Sequence, residues 1–333
     1  MAEAKFLVVR LGSLGDIVHA FPAVSGLRQS FPNSEIVWLT HPKWEALVRA
    51  GGLANEVWTV DTRDWSSLRS ILARIRRHPF RAAIDYQGLW KSAALPFLAG
   101  VPRRIGFSSQ TVREAGVPML YTDRVRVDAT AHVSDQNGEL TARAGGKFAV
   151  GQVELKIPPE EVASVKGTLQ KMGIGEYIVL SPGGGWRSKC WPAERYGQLA
   201  GRIQQEFQTR CVINAGPGEE DLVKPVLAAA ENAQPFLYNG SLGQLMALLK
   251  NASAVVAGDT GPLHLADALG TPVAAIFGPT DPARNGPYHK FGVVLRWQGA
   301  ATTYKRGSEP DESLTHISVD EVISALRGLR EAA

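Results

Sequence analysis

Three short stretches of this sequence set glycines beside a charged or hydroxyl side chain, each just after an apolar run. The first is Arg10-Leu11-Gly12-Ser13-Leu14-Gly15-Asp16, which follows Phe6 to Val9. Gly12 and Gly15 allow a tight turn and a close approach of backbone to a ligand. Asp16 falls where a helical pattern opens. There it could take a proton from an attacking hydroxyl, or it could simply complement the positive end of the helix. The second stretch runs from Leu180 to Trp191 and holds Gly183, Gly184, Gly185 and Lys189. Bare backbone N–H groups can meet phosphate oxygens, and Lys189 adds a mobile point charge to the same oxygens. The third runs from Val256 to His264 through Asp259, Thr260 and Gly261. Pro262 suits the first position of a helix, so the N–H groups of Thr260 and Gly261 would face an anion, with His264 in the first turn as a further donor. A weaker fourth stretch, Ala215 to Glu219, offers a carboxylate to ribose hydroxyls. Phe277 to Pro282 reads as a rigid turn.

Several chemistries fit these stretches badly. The first loop is not GxGxxG, and the second apolar run ends in Thr40-His41 with no acid for a ribose, which argues against a nicotinamide cofactor. The second loop lacks the GxxxxGK[ST] spacing of a P-loop. Asp-Thr-Gly also occurs in aspartic proteases, but those need a second such triplet in an all-β setting. No Asp-x-Asp triplet occurs anywhere in the chain. A diphosphate would then be held by helix N-termini and Lys189 rather than through a divalent ion, and neither metal nor cofactor is expected. Cys190 and Cys211 are the two cysteines, with no CxxC spacing, which suits a reducing cytoplasm.

The elements that must position these residues alternate in type. Phe6–Arg10, Ile36–Thr40, Glu56–Val60 and Ala82–Tyr86 read as strands. Helical patterns over 16–31, 42–50 and 66–77 lie between them. Around 153–159 the rhythm breaks, and Lys156 to Glu161 reads as a linker into a helix. Strands then recur at Tyr177–Ser181, Arg210–Asn214, Ala254–Ala257 and Val273–Phe277. Ser318 to Glu321 is a capping box before a last amphipathic helix. Strand–helix alternation implies parallel βαβ units. The 333 residues, 44% of them hydrophobic, are enough for two cores. The expected fold is α/β, with two facing doubly wound Rossmann-like domains and a cleft between them. The expected domains are 1–155 and 156–317, followed by a C-terminal helix over 318–333; the family resemblance given below implies an acceptor for the first, a sugar nucleotide for the second, and a helix packing back on the first.

Charge is uneven. Eleven arginines fall between Arg63 and Arg126. They could meet phosphates or an anionic membrane, or be solvated helix faces. No run approaches the ~20 apolar residues of a membrane span, and Phe6–Val9 is too short for a signal-peptide core. Membrane contact would be peripheral, and no nucleic-acid partner is expected.

In motif order the chain resembles the ADP-heptose:lipopolysaccharide heptosyltransferases of glycosyltransferase family 9. The matching segments are Val9–Ala23, Ile84–Ser92, Gln110–Glu114, Lys189–Pro192, Asp259–Leu265 and Gly278–Pro282. The resemblance implies a GT-B fold and inverting transfer of heptose from an ADP-heptose donor. The acceptor would be a Kdo hydroxyl of Kdo2-lipid A or a related anionic glycolipid at the cytoplasmic face of the inner membrane. It implies Asp16 as general base. Donor binding would fall to Gly184, Gly185, Lys189, Glu219, Asp259, Thr260, Gly261 and His264, and acceptor binding to Arg63, Lys91, Arg113 and His132. Two departures stand out. The basic cluster that the first enzyme of the family carries after its third strand is reduced to Arg63, and Gly183–Gly185 replace the usual threonines. The rival readings are a GT-B-like sugar-nucleotide epimerase, a family transferase with another acceptor, and a non-catalytic nucleotide-sugar binding protein.

Overall fold

A computed structural model describes residues 4–112, 114–148, 151, 153–216, 218–289 and 291–332. The chain divides into two units, Met1–Lys156 and Ile157–Ala333, so the linker read around Lys156 is the boundary.

The first unit is built on six parallel strands: β1 (Lys5–Val9), β2 (Glu35–Thr40), β3 (Glu56–Thr59), β4 (Ala82–Asp85), β5 (Arg104–Phe107) and β6 (Asp123–Val125). Their order in the sheet is β3-β2-β1-β4-β5-β6. Phe6 to Val9 are all fully buried, because helices cover both faces and leave no polar side for alternation to show. One face packs Leu7, Val9, Val37 and Leu39 with Ile71 and Ile75 of the helix Trp65–Arg76. On the other, Trp38 meets the Phe21 ring edge-on at 5.8 Å. The helix expected over 16–31 is two helices, Leu14–Val18 and Phe21–Ser30. Pro22 stands in the first turn of the second, where its missing N–H costs nothing.

The second unit repeats the plan with β7 (Tyr177–Ser181), β8 (Arg210–Asn214), β9 (Phe236–Tyr238), β10 (Ala254–Gly258), β11 (Val273–Phe277) and β12 (Gly292–Arg296), ordered β12-β11-β10-β7-β8-β9. In each unit the sheet reverses its winding at the first and fourth strands. A doubly wound sheet opens a crevice for ligands at that reversal, at the carboxyl ends of its strands. The reversal lies between β1 and β4 in the first unit, and between β7 and β10 in the second.

The expectation that residues 318–333 return to the first domain is overturned. The helix Val319–Glu331 lies on the second unit's own sheet and on its helix Ala193–Phe207. Val322, Ile323 and Leu326 are buried in the core with Ile203 and Ile276, each worth about 1.5–3 kcal/mol of burial. Trp191 Nε1 donates to the Ile317 carbonyl at 3.0 Å, and Arg330 pairs with Glu176 at 2.6 Å. The apolar stripe read from the sequence is real, but amphipathicity does not say which sheet a helix covers.

Candidate active site

In the first unit, the loop from β1 to the helix Leu14–Val18 occupies the reversal point. Gly12 has φ +153°, and a Cβ there would sit 2.6 Å from the indole nitrogen of Trp44. Only glycine lets the chain pass under that ring. Ser13 N–H and Oγ both donate to Asp16 Oδ2 at 2.9 Å. Arg10 Nη2 holds Asp16 Oδ1 at 2.6 Å. The arginine is buried and the carboxylate is 42% exposed, so one acid is presented outward on a fixed cation. The Arg10 guanidinium also donates to the Tyr86 carbonyl, and Leu11 N–H donates to Gln87 Oε1 at 2.8 Å. The loops after β1 and β4 are thus tied together across the crevice.

Beneath them lies Asp85, fully buried. It accepts from Gln87 N–H at 2.9 Å, Gly88 N–H at 3.3 Å, Ser92 Oγ at 2.9 Å and Tyr121 Oη at 2.7 Å. Burial pushes its carboxyl above the usual range, and these donors only partly oppose that. Asp85 does not reach the surface; it shapes the Gln87–Gly88 turn.

The expected acceptor residues are placed unevenly. His132 caps the helix Val133–Arg143, its Nδ1 accepting from Ser134 N–H at 3.1 Å. Its ring meets His19 edge-on at 5.1 Å, three residues beyond Asp16. Lys91 is exposed in the first turn of the helix Trp90–Leu98, after β4. Arg63 is exposed after β3, two strands out from β1, or about 10 Å at ordinary strand spacing. It is not brought to Asp16. Arg113 lies outside the described residues.

In the second unit several of the residues expected to bind the donor come together. Lys189, in the short 3-10 turn Arg187–Lys189, forms an ion pair with Asp259 Oδ2. His264 Nε2 lies 3.2 Å from Asp259 Oδ1 and donates to it. The exposures of Lys189 and Asp259 are 10% and 4%. Burial on its own would raise the Asp259 carboxyl. The His264 hydrogen bond and the Lys189 charge more than reverse this and hold it well below the usual range. Asp259 is therefore a fixed anion that aims Lys189 and sets the His264 tautomer, with Nε2 carrying the proton. Thr260 precedes the helix Gly261–Ala268, and its buried Oγ1 has no partner among the described residues.

Glu219 stands against the glycine loop. Its Oε2 accepts from Gly216 N–H at 2.6 Å. A Cβ on Gly183 would lie 2.1 Å from its Oε1. A side chain at 183 would therefore push that carboxylate, the far end of a flexible glutamate, out of its place. A Cβ on Gly184 would meet Cys190 Sγ at 2.9 Å, whereas one on Gly185 would meet nothing. The loops after β7, β8 and β10 meet at the reversal point, which is where a phosphate-bearing ligand binds in such a sheet. Among the described residues no group of three His, Cys, Asp or Glu side chains is arranged to hold a metal ion. None of their helices is long and apolar enough to cross a membrane.

Sequence reasoning missed Arg10, Gln87, Asp85 and Trp186 as parts of the site. Trp186 lies under Lys189, whose Nζ is 4.0 Å from the ring centroid. An arginine six positions before an acid, at a strand-to-helix turn, is a signal that could have found the Arg10–Asp16 pair.

Residues 68–311 match the family model described as glycosyltransferase family 9 (heptosyltransferase). The chain is 27% identical to lipopolysaccharide heptosyltransferase 1 of Escherichia coli K12, over 98% of this chain and 100% of that one. It is 28% identical to lipopolysaccharide heptosyltransferase 1 of Pseudomonas aeruginosa PAO1, over 87% and 83%. Among solved structures, E. coli heptosyltransferase WaaC with ADP superposes with a TM-score of 0.77 at 25% identity, covering 98% of this chain and 99% of that one. The family 9 glycosyl transferase from Veillonella parvula has the same fold, with a TM-score of 0.85 at 22% identity, covering 99% and 98%. A doubly wound pair of units and a family match over most of the length converge: this chain belongs to glycosyltransferase family 9, the heptosyltransferases.

Proposed function

We propose that this chain transfers heptose, with inversion, from ADP-L-glycero-D-manno-heptose to a Kdo hydroxyl of the lipopolysaccharide inner core. The observation that carries the donor half is the buried Lys189–Asp259–His264 cluster beside the start of the helix Gly261–Ala268. Lys189 and the N–H groups of Thr260, Gly261 and the glycine loop would take the diphosphate. Glu219 would accept from the adenosine ribose. The relatives' names supply the sugar and the acceptor class: lipopolysaccharide heptosyltransferase 1 for the curated proteins, and ADP and ADP-2-deoxy-2-fluoro heptose for the WaaC complexes.

In the proposed step, Asp16 takes the acceptor O–H proton as that oxygen attacks the anomeric carbon. The bond from that carbon to the β-phosphate oxygen breaks, and its electron pair leaves with ADP. Lys189 and the helix N-terminus stabilise the charge that develops there, with no divalent ion in the scheme. Asp16 then returns the proton to water. Arg10 and Ser13 orient the carboxylate for this task. His132, Lys91, Arg113 and Arg63 are the proposed acceptor-side groups, of which His132 stands nearest the helix of Asp16.

The acceptor is lipid-borne, so the first unit would meet the cytoplasmic face of the inner membrane peripherally. The helix Trp90–Leu98 suits an anionic lipid surface. Its Trp90, Phe97 and Leu98 are 44%, 44% and 54% exposed. Lys91 stands on the same helix, and Arg76 Nη2 donates to the Leu98 carbonyl at 2.9 Å. Incubation with ADP-heptose and Kdo2-lipid A, read as ADP release, tests the whole reading. Release that depends on both substrates supports it. Release only with a different acceptor would keep the donor and replace the Kdo, and no release with any inner-core acceptor would sink it.

A further inference from the structure

The Lys189 loop is covered by a segment that no part of the scheme above uses. After β12 the chain runs from Ala301 to Asp311 back across the second unit. Thr303 N–H donates to the Pro279 carbonyl at 2.7 Å, at the turn that follows β11. Gly307 N–H donates to Ser188 Oγ at 3.3 Å, inside the turn that carries Lys189. At its far end Asp311 caps the helix Glu312–Thr315, accepting from Ser313 N–H at 3.0 Å. Pinned at these three points, the segment sets Arg306 over the Trp186 ring, its guanidinium carbon 5.2 Å from the centroid. Lys189 Nζ is 4.0 Å from the same centroid. Two cations therefore share one indole. A ring quadrupole attracts each of them but leaves their mutual repulsion in place.

The charges here do not balance internally. Asp259 is committed to Lys189 and His264. Arg306 makes no ion pair with any carboxylate among the described residues, and its side chain is exposed. The glycine loop offers backbone N–H groups, with the Glu219 carboxylate standing against it at Gly183, and the space beside Gly185 is open. A guanidinium stacked on Trp186 beside a lysine, with no carboxylate partner among the described residues, is the arrangement that a multiply charged anion completes. Guanidinium also matches phosphate geometry bidentately, which an ammonium does not.

We propose that Arg306, seated on Trp186, is a second cationic ligand of the donor diphosphate and acts with Lys189 on the leaving group. The reading rests on the donor site assigned above. It adds that the segment 301–311 belongs to that site, and that its arginine supplies a side-chain contact which Gly183–Gly185 cannot.

The test is calorimetric binding of ADP and of adenosine to the full chain and to the variants Arg306→Ala, Arg306→Lys and Lys189→Ala. Loss of a charge-assisted bond to phosphate predicts that Arg306→Ala weakens ADP by roughly 10- to 100-fold and leaves adenosine unchanged, with Arg306→Lys in between. ADP affinity within about twofold of the unaltered chain would overturn the proposal, since a lost bond of this kind costs more than that. So would a parallel loss of ADP and adenosine, which would mean that Arg306 only holds the segment together. Lys189→Ala separates the two claims. If Lys189→Ala weakens ADP while Arg306→Ala does not, the donor site stands and Arg306 is excluded from it. If neither variant weakens ADP, the donor site itself is misassigned.

Discussion

Replacing Lys189 by methionine isolates the electrostatics of the donor cluster. The change keeps most of the side-chain volume and removes the charge. Asp259, 4% exposed, is then left with His264 as its partner among the described residues. Removing one partner of a buried ion pair costs about 3–5 kcal/mol, most of it the desolvation of the charge left behind. The hydrogen bond from His264, at 3.2 Å, offsets part of this and places the expected loss near the lower end. For a unit of this size that is a fall in Tm of about 6–12 °C. The pH dependence follows from linkage. In the unaltered protein the Asp259 carboxyl is held below its usual range, so its stabilisation is complete above the unfolded value and is lost only as pH falls through the depressed folded value. In Lys189→Met the lowering influence of the lysine is gone while burial still raises the carboxyl, so the folded value moves up. The stability gap between the two proteins is therefore widest at neutral pH and narrows on acidification. Urea unfolding at pH 7.5 and pH 5, followed by tryptophan fluorescence, measures the gap. The double variant Lys189→Met/Asp259→Asn removes both charges and should recover most of the loss. A gap under about 1 kcal/mol, as for a solvent-screened surface pair, would refute the reasoning. A gap that stays constant with pH would do the same.

Gly183→Ala should raise the Kd for ADP by roughly 5- to 30-fold, because its Cβ would displace the Glu219 carboxylate from 2.1 Å away. Glu219→Ala should do the same, and the two together should cost little more than either alone; additive losses in calorimetry would break the link between them. Phe97→Ser/Leu98→Ser should lower cosedimentation with phosphatidylglycerol vesicles several-fold, on the order expected from losing two partly inserted apolar side chains. Unchanged vesicle binding would remove this helix from the membrane contact.

Much of this architecture is legible in the sequence because buried parallel strands are dense apolar runs. Tyr177–Ser181, Arg210–Asn214 and Val273–Phe277 stand at their expected limits. The strands that escaped notice are short or peripheral. Asp123–Val125 is three residues with two charges, Phe236–Tyr238 is equally brief, and Gly292–Arg296 is a half-exposed edge. Arg104–Phe107, inside the first sheet, was missed too, being four residues with an arginine and a glycine; none of the four carries enough apolar periodicity to be seen. The proposed donor cluster, Lys189, Asp259 and His264, is legible for a related reason. Strand-end loops carrying glycine, lysine and Asp-Thr-Gly have little else to do, and the reversal of each sheet gathers them at one point. The acceptor side was less legible because its residues depend on tertiary routes. Arg63 and His132 both lie in the first unit, yet one is two strands away and the other rests on His19. The Arg10–Asp16 pair is local in sequence, but it exists only because Gly12 lets the chain turn under Trp44.

We propose that Asp16 is the base and that the second unit holds the donor. Asp16→Asn keeps the shape of the side chain against Arg10 and Ser13 and removes the ability to take a proton. Turnover with ADP-heptose and Kdo2-lipid A, measured beside ADP binding on the same preparation, decides the matter. With Asp16 as base, kcat falls by about 10²- to 10⁴-fold while the Kd for ADP moves by less than about twofold, the second unit being untouched. A kcat within about tenfold of the unaltered enzyme would contradict it, because general-base removal costs more than that.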